Sequence, residues 1–138
     1  MSLLLGDVRF EEVSPRRFVA TVTKHELRKT VEVVVKEDSY LSTITAVDIP
    51  KDGKIELNYI FWSVKYKAAI VVKVLVDRSD PVVPSISDIV RGAVGSEVEV
   101  YDLMGVIFQE NGRLRRGFLA PEDIVAREIY PLRKDSGV

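Results

Sequence analysis

Two neighbouring segments near the middle of the chain constrain its fold most strongly. Alternate positions of the first segment are apolar, namely Ile55, Leu57, Tyr59 and Phe61, which is the period of a strand with one buried face. The second segment, residues 69–76, is apolar at every position except Lys73, as is typical of a central strand. Residues 40–49 are rich in Thr, Ile and Val, and a turn sequence at 50–53 follows them. The three segments predict an antiparallel meander.

A helix is predicted to cover this sheet on one face. After a short strand at residues 17–22, Thr23 and Glu26 match a capping box, in which each side chain bonds the other's backbone amide. The helical period then appears in four apolar residues, which are Leu27, Val31, Val34 and Val35. Valine favours a strand by intrinsic propensity, so the two signals conflict. We give more weight to the cap and the period.

The next part of the chain contains an extended connection and two candidate helices. Residues 80–85 include two prolines, which disfavour a central strand. Residues 86–94 predict a short helix that ends at Gly95. Residues 96–104 fit either a strand or a helix that is apolar on two sides. A helix of that kind needs cover on both sides, and the second cover could be a partner protein.

The chain changes character beyond Phe108. Residues 111–138 contain six basic and four acidic side chains, several apolar ones and little periodicity. The whole chain of 138 residues has the length of one domain. We therefore predict a single α+β domain over residues 1–110, with a largely antiparallel or mixed sheet packed by helices, and an extended C-terminal tail over residues 111–138.

Composition excludes several classes of function. The chain contains no cysteine and one histidine, His25, so alone it can form neither a thiolate metal site nor a site of several histidines. No phosphate-binding loop, dinucleotide-binding fingerprint or nucleophile elbow occurs. His25 lies in the predicted capping turn as a surface residue, and Asp77–Asp80 predict a solvated turn. No residues therefore assemble a catalytic site.

Charge and hydropathy limit the partners. A net charge of −1 provides no global basic field for nucleic acid. The cluster at residues 113–116 holds three arginines, and four acidic residues in the same tail weaken a nucleic-acid interpretation. We prefer pairing with carboxylates at an interface, because the guanidinium binds a carboxylate through two bonds. The N-terminus lacks the basic part of a secretory signal, and no apolar run approaches the roughly 20 residues that cross a bilayer.

Six motifs, in this order and spacing, resemble a known family. They are T-A-V-D at residues 45–48, D-P-x-V-P-S at 80–85, E-x-E-x-Y-D-x-x-G at 97–105, L-R-R at 114–116, P-E-D at 121–123 and P-L-R-K-D at 131–135. The combination resembles the thirty-kilodalton subunit of respiratory complex I, which is the C subunit of bacterial NADH-quinone oxidoreductase. Related subunits occur in energy-converting nickel–iron hydrogenases and formate hydrogenlyases. The resemblance covers roughly residues 17–135.

This resemblance implies a subunit of a multi-subunit oxidoreductase that holds no cofactor and performs no chemistry itself. It implies that residues 96–104 form a helix and that the tail docks on a partner related to the hydrogenase large subunit. We expect the partners, an iron–sulfur subunit among them, to carry iron–sulfur clusters. We expect the chain to be cytoplasmic, peripheral on the cytoplasmic side of the cell membrane, without a membrane span of its own and without nucleic acid. An isolated subunit is expected to expose apolar surface and self-associate.

The resemblance also assigns roles to residues. The expected partner interface consists of Glu97, Glu99, Tyr101, Asp102, Arg115, Arg116, Glu122, Asp123, Arg133, Lys134 and Asp135. Structural roles are expected for Gly105, Pro121 and Pro131. The basic tail pairs would bind carboxylates or carbonyl groups of the partner, while Tyr101, Asp102 and Gly105 would hold the helix and its turn. No catalytic, cofactor-binding or metal-binding residue is expected.

Two alternatives remain at this point. The first is the equivalent subunit of a membrane-bound energy-converting hydrogenase or formate hydrogenlyase, in which the same physical role serves a different electron donor and acceptor. The more distant one is an isolated regulatory or nucleic-acid-binding module, which a steep salt dependence of DNA binding would reveal.

Overall fold

The computed structural model describes residues 2–90 and 92–111. They form one domain with a mixed sheet of six strands and two helices, which confirms the predicted α+β fold. The predicted tail lies outside the described residues, except for Asn111 at its start. None of the helices in the described ranges is long and apolar enough to cross a membrane.

The large sheet contains β1 (Ser2–Leu5), β2 (Val8–Ser14), β3 (Arg17–Val22), β4 (Ser39–Ile49), β5 (Lys54–Ser63) and β6 (Ala68–Asp77). Their spatial order is β1-β2-β3-β6-β5-β4, and all neighbours are antiparallel except β3 and β6. The helices are α1 (Leu27–Val35) and α2 (Ala93–Met104). Two short strands, β7 (Val82–Pro84) and β8 (Ile107–Gln109), form a separate parallel pair.

The central meander forms as predicted. Strands β4, β5 and β6 are consecutive antiparallel neighbours, and β6 lies between β3 and β5 in the interior of the sheet. The apolar alternation of β5 is buried, whereas Trp62 on its other face is exposed. A 3-10 turn at Pro50–Asp52 joins β4 to β5, and Gly53 completes it with a φ of 64°. Strands β1 and β2 extend the sheet beyond the part that the sequence predicted.

Helix α1 also confirms its prediction. The backbone N–H of Thr23 donates to Oε1 of Glu26 at 3.0 Å, and the N–H of Glu26 donates to Oγ1 of Thr23 at 3.3 Å. These reciprocal bonds close the turn that precedes the helix, and His25 is exposed on that turn. Because Val31 and Val34 are fully buried against the sheet, packing outweighs the strand propensity of valine.

The short helix predicted over residues 86–94 is wrong. Residues 87–89 form a turn, and α2 begins at Ala93 and continues through Gly95. The N–H groups of Ile89 and Val90 both donate to the carbonyl oxygen of Ile86, at 3.0 and 2.9 Å, which closes a single turn there. Gly92, with a φ of 85°, sets the start of α2. The helical state of residues 96–104 agrees with what the family resemblance implied.

The turn at Asp77–Asp80 is not solvated throughout, which corrects a second expectation. The side chain of Arg78 is only 20% exposed and reaches back to the end of β4. Its Nε lies 2.5 Å from Oδ1 of Asp48, and its Nη2 lies 3.0 Å from Oδ2. Asp48 is buried. Arg78 therefore ties the end of β6 to the end of β4.

Both helices pack into one apolar core on the same side of the sheet. Side chains from α1, α2 and the inward face of the large sheet belong to a single buried cluster, which includes Leu27, Val100, Tyr59 and Ile70. No described helix covers the opposite face of the sheet.

Candidate partner interface

Helix α2 and the residue after it carry the predicted site residues that the structure describes. These are Glu97, Glu99, Tyr101, Asp102 and Gly105. The remaining ones lie outside the described residues, and their roles stay predictions: Arg115, Arg116, Pro121, Glu122, Asp123, Pro131, Arg133, Lys134 and Asp135.

Glu97 lies in the interior of the protein, where its side chain is fully buried. Its Oε1 accepts hydrogen bonds from Oγ of Ser85 at 2.6 Å and from Nδ2 of Asn111 at 2.9 Å. Its Oε2 accepts the backbone N–H of Ile86 at 2.9 Å. These bonds join α2 to the segment after β7 and to the start of the predicted tail. The position of Glu97 does not support the direct partner contact that we predicted for it.

Burial raises the pKa of Glu97 above the ordinary value of a glutamate, because the charged carboxylate loses its hydration. The hydrogen bonds from Ser85, Ile86 and Asn111 oppose this rise in pKa, since each stabilises the charged form. The negative charge of Asp88 adds a smaller upward contribution. The net result is a raised pKa, so the Glu97 carboxyl group stays neutral to a higher pH than a glutamate in water does.

The other polar residues of α2 differ in exposure. Asp102 is fully buried, Tyr101 is half-buried, and Glu99 is exposed. A groove runs beside the exposed part of the helix, and it is lined by Thr43, Thr45, Ala46, Glu99, Val100 and Leu103. Of the residues predicted on this helix, Glu99 and part of Tyr101 are therefore placed where a partner could reach them.

Gly105 ends α2 with a backbone conformation that favours glycine. Its φ is 80°, and its N–H donates to the carbonyl oxygen of Tyr101 at 2.9 Å. A side chain in this left-handed conformation would be strained. The turn directs the chain from α2 into β8, which pairs with β7 and so places Asn111 beside Glu97.

Ser85 and Asn111, which hold Glu97, were not predicted from the sequence. Ser85 is the last residue of the D-P-x-V-P-S motif, and that motif occurs together with the E-x-E-x-Y-D motif of α2. The two motifs belong to the same family resemblance, but nothing in either motif indicates a contact between them. Asn111 follows Glu110 at the edge of an aperiodic segment and offered no signal of a contact either.

Tyr59 is buried in the same part of the core as Glu97, and a substitution there tests how buried polar groups affect stability. Its hydroxyl is buried and, among the described residues, has no hydrogen-bond partner. Burial raises its pKa well above the ordinary value, and the negative charge of Glu97 raises it further. An unsatisfied buried hydroxyl destabilises the folded state, so Tyr59→Phe is expected to raise the free energy of unfolding by about 1 kcal/mol. Urea denaturation measures this change.

The control for this substitution is Tyr40→Phe, because the Tyr40 side chain is 57% exposed and its hydroxyl can contact water. We expect no measurable change in its free energy of unfolding. A destabilised Tyr59→Phe protein would contradict the prediction.

The described residues present no metal centre. Within residues 2–90 and 92–111, no three or more histidine, aspartate or glutamate side chains are grouped so that they could hold a metal ion.

Comparison with known sequences gives consistent matches. The family model described as "Respiratory-chain NADH dehydrogenase, 30 Kd subunit" matches residues 20–138. The C subunit of the NADH-quinone oxidoreductase of Moorella thermoacetica is 44% identical over 97 residues, which are 70% of this chain and 63% of that protein. The mitochondrial NADH-ubiquinone oxidoreductase 30.4 kDa subunit of Neurospora crassa is 42% identical over 105 residues, which are 72% of this chain and 34% of that protein. The chain thus spans less than two thirds of the length of these relatives.

Two solved structures are similar to the fold. A chain of the membrane-bound sulfane sulfur reductase, an archaeal respiratory membrane complex, matches with a TM-score of 0.83 and 28% identity, over 93% of this chain and 76% of that one. A trypsin-resistant fragment of Nqo5 matches with a TM-score of 0.64 and 21% identity, over 76% of this chain and 88% of that one. The second similarity concerns the fold alone.

Proposed function

Because the chain belongs to the respiratory-chain NADH dehydrogenase 30 kDa subunit family, we propose that it is a non-catalytic structural subunit in the cytosolic arm of a complex I-type oxidoreductase. Its tail docks on the partner related to the hydrogenase large subunit, and the iron–sulfur clusters belong to its partners. The observation that carries this proposal is the family match itself, which extends through the predicted tail to residue 138.

The hydrogen bonds around Glu97 support the docking role. Asn111 bonds the Glu97 carboxylate at 2.9 Å, so the start of the tail is attached to α2. The backbone N–H of Ser85 donates to the carbonyl oxygen of Gln109 at 2.9 Å, which attaches the same region to the segment after β7. A tail that begins from a fixed point loses less conformational entropy when it binds a partner. Glu97 of α2 thus positions the start of the tail through Asn111. The basic pairs of the tail, Arg115–Arg116 and Arg133–Lys134, then contact the partner subunit.

Purification of the tagged chain from its native cells, with the co-purifying proteins identified by mass spectrometry, tests this proposal. We expect to recover a partner related to the hydrogenase large subunit together with iron–sulfur subunits. Recovery of the chain alone under gentle conditions would contradict the proposal.

Charge reversal in the tail tests the docking contact itself. In the variant Arg115→Glu/Arg116→Glu, carboxylates replace the two guanidinium groups. They would repel the carboxylates and carbonyl oxygens of the partner that the arginines bind. We expect the co-purified partner to fall by roughly tenfold or more, which corresponds to about 1.4 kcal/mol in binding free energy. Mass-spectrometric quantification against the tagged chain measures the loss.

The matched control is Arg9→Glu/Lys51→Glu, which makes the same change in total charge. Both residues are exposed, and neither forms an ion pair among the described residues. This variant should assemble like the wild type. Wild-type recovery of the partner by the tail variant would exclude the proposed role of these arginines.

A second candidate is the equivalent subunit of a different membrane-bound redox complex, such as an energy-converting hydrogenase. The observation that favours it is the similarity to the archaeal respiratory membrane complex, which covers 93% of this chain with a TM-score of 0.83. The sequence of the co-purified large partner separates the two candidates. Cysteine ligands for nickel in that partner would indicate a hydrogenase, and their absence would exclude one.

A further inference from the structure

A row of side chains crosses four strands on the sheet face that no described helix covers. Arg17 of β3 pairs with Ala69 of β6, Ala69 pairs with Trp62 of β5, and Trp62 pairs with Tyr40 of β4. Because paired residues project on the same face of a sheet, the four side chains lie side by side. We call them the aromatic row.

The aromatic row has the composition of an interaction surface. Tyr40 is 57% exposed and Trp62 is 37% exposed, although each is large and mostly apolar. The next row on this face is formed by Val19, Val71 and Ile60, of which Val19 and Ile60 are half-buried and Val71 is buried. Tryptophan, tyrosine and arginine are the residues that contribute most often to binding energy at protein interfaces.

Cationic residues surround one end of the aromatic row. Arg16 and Lys67 lie in the two turns at this end, and the N–H of Ala69 bonds the carbonyl oxygen of Arg16 at 2.8 Å. Arg16, Arg17 and Lys67 are exposed and form no ion pair among the described residues. The neighbouring Lys65, by contrast, is paired with Glu37, just after α1, and its Nζ lies 3.1 Å from Oε2 of that residue.

The acidic residues at this end do not neutralise the three cations. Glu37 is the partner of Lys65. Glu12 is paired in register with Phe18, so it projects toward the helix side of the sheet, opposite to Arg17. Glu11 is paired with Val19 and so lies on the face of Arg17, but it forms no ion pair among the described residues. Asp38 lies before β4 and forms no ion pair among the described residues. Two of the three cations also occupy strained backbone, since φ is 63° at Arg16 and 51° at Lys67.

We propose that the aromatic row, together with Arg16 and Lys67, is a second docking surface that binds a carboxylate-rich surface on another protein subunit of the same complex. This inference rests on the proposed function. The tail starts from the helix side of the sheet, where Asn111 bonds Glu97, and the aromatic row lies on the other side. The chain thus connects two protein surfaces, one on each side of its sheet.

The mixture of charges favours a protein over a lipid surface. Binding to an anionic membrane typically uses clusters of about four to eight basic residues without interspersed acids. Here the end of the sheet that carries the three unpaired cations also carries Asp38 and the Lys65–Glu37 pair, and Glu11 lies on the face of Arg17. Such a pattern, with aromatic side chains at its centre, matches the composition of protein interfaces.

Photo-crosslinking in the assembled complex tests this surface. A benzophenone amino acid replaces Tyr40 in one strain and Val47 in a second, because Val47 is exposed on the same face of the same strand near its other end. A third strain carries the probe at Tyr130 in the tail. We expect crosslinks from position 40 to an acidic segment of another subunit, crosslinks from position 130 to the large partner, and none from position 47.

Charge reversal then tests the chemistry of the surface. We expect Arg17→Glu/Lys67→Glu to reduce the crosslink yield from position 40 by roughly tenfold, and Arg9→Glu/Lys51→Glu to leave it unchanged. Crosslinks from position 130 without crosslinks from position 40 would overturn this inference and leave the proposed function intact. Crosslinks from position 40 to lipid or to a second copy of this chain would also overturn it. Absence of any co-purified subunit would overturn both.

Discussion

Replacing Glu97 by alanine is expected to lower the free energy of unfolding by about 3 kcal/mol or more. The substitution removes the acceptor that Ser85, Ile86 and Asn111 share, and it leaves the backbone N–H of Ile86 without the carboxylate that it bonds. Each unsatisfied buried donor destabilises the folded state by about 1–3 kcal/mol, and the removed side chain also leaves a cavity. Urea denaturation followed by circular dichroism measures the loss.

The control for this substitution lies on the same helix. Glu99 is two residues away and exposed, so Glu99→Ala keeps the helix propensity and the change in charge but disturbs no buried bond. Its effect on the free energy of unfolding should stay within about 0.5 kcal/mol. Equal destabilisation by the two substitutions would show that the buried hydrogen bonds of Glu97 contribute nothing measurable.

The pH dependence of the unfolding free energy tests whether the Glu97 carboxyl group contributes to stability through its proton. The pKa of Glu97 is raised in the folded state by burial, so the folded protein binds its proton more tightly than the unfolded chain does. The stability linked to this proton is fully present below the unfolded pKa and is lost as the pH rises through the folded pKa. The difference in unfolding free energy between the wild type and Glu97→Gln should therefore fall as the pH rises above the ordinary glutamate range.

The regular part of the fold was predictable because local pattern and burial agree there. Residues 55–61 alternate in hydrophobicity, and the structure buries the same alternate side chains. The helix at Leu27–Val35 was predictable only because a turn with reciprocal bonds precedes it, and the apolar period then outweighs the strand propensity of valine. In both cases the information lies within about ten neighbouring residues.

The start of α2 was not predictable, since it depends on contacts between distant residues. Gly95 predicted a helix end, but the glycine that sets the helix boundary is Gly92, with a φ of 85°. A carboxylate eleven positions further along the chain takes the backbone N–H of Ile86, and no local pattern indicates such a bond. The family resemblance did imply a helix for residues 96–104, because a motif carries this long-range information.

Glu97 shows why a motif identifies a family more readily than it identifies a contact. The E-x-E-x-Y-D motif predicted a set of partner-facing polar residues, but the structure buries Glu97 and Asp102 and exposes Glu99. A pattern of polar letters is the same for a residue that bonds its own chain and for one that bonds another chain. Only the packing of α2 against the core separates the two cases.

Asp48 and Arg78 give the second large expected effect. Asp48 is the last residue of the T-A-V-D motif and is buried, and Arg78 binds both of its carboxylate oxygens. Arg78→Ala removes the guanidinium and leaves this carboxylate in a poorly hydrated environment. Breaking a buried pair in this way typically destabilises a protein by about 3–5 kcal/mol. Chemical denaturation of the purified variant measures the change in unfolding free energy.

An exposed ion pair at the same end of the β4–β5–β6 meander shows how much of the expected loss in stability comes from burial. Lys54 contacts Asp77, but these side chains are 41% and 58% exposed, so water and salt screen their attraction. Lys54→Ala should therefore change stability only slightly, and about 1 M salt should remove even that effect. A double-mutant cycle with Asp48→Ala and Arg78→Ala should give a coupling energy above about 1 kcal/mol that persists in salt. A coupling that vanishes in salt would mean that the Asp48–Arg78 pair behaves as a surface pair.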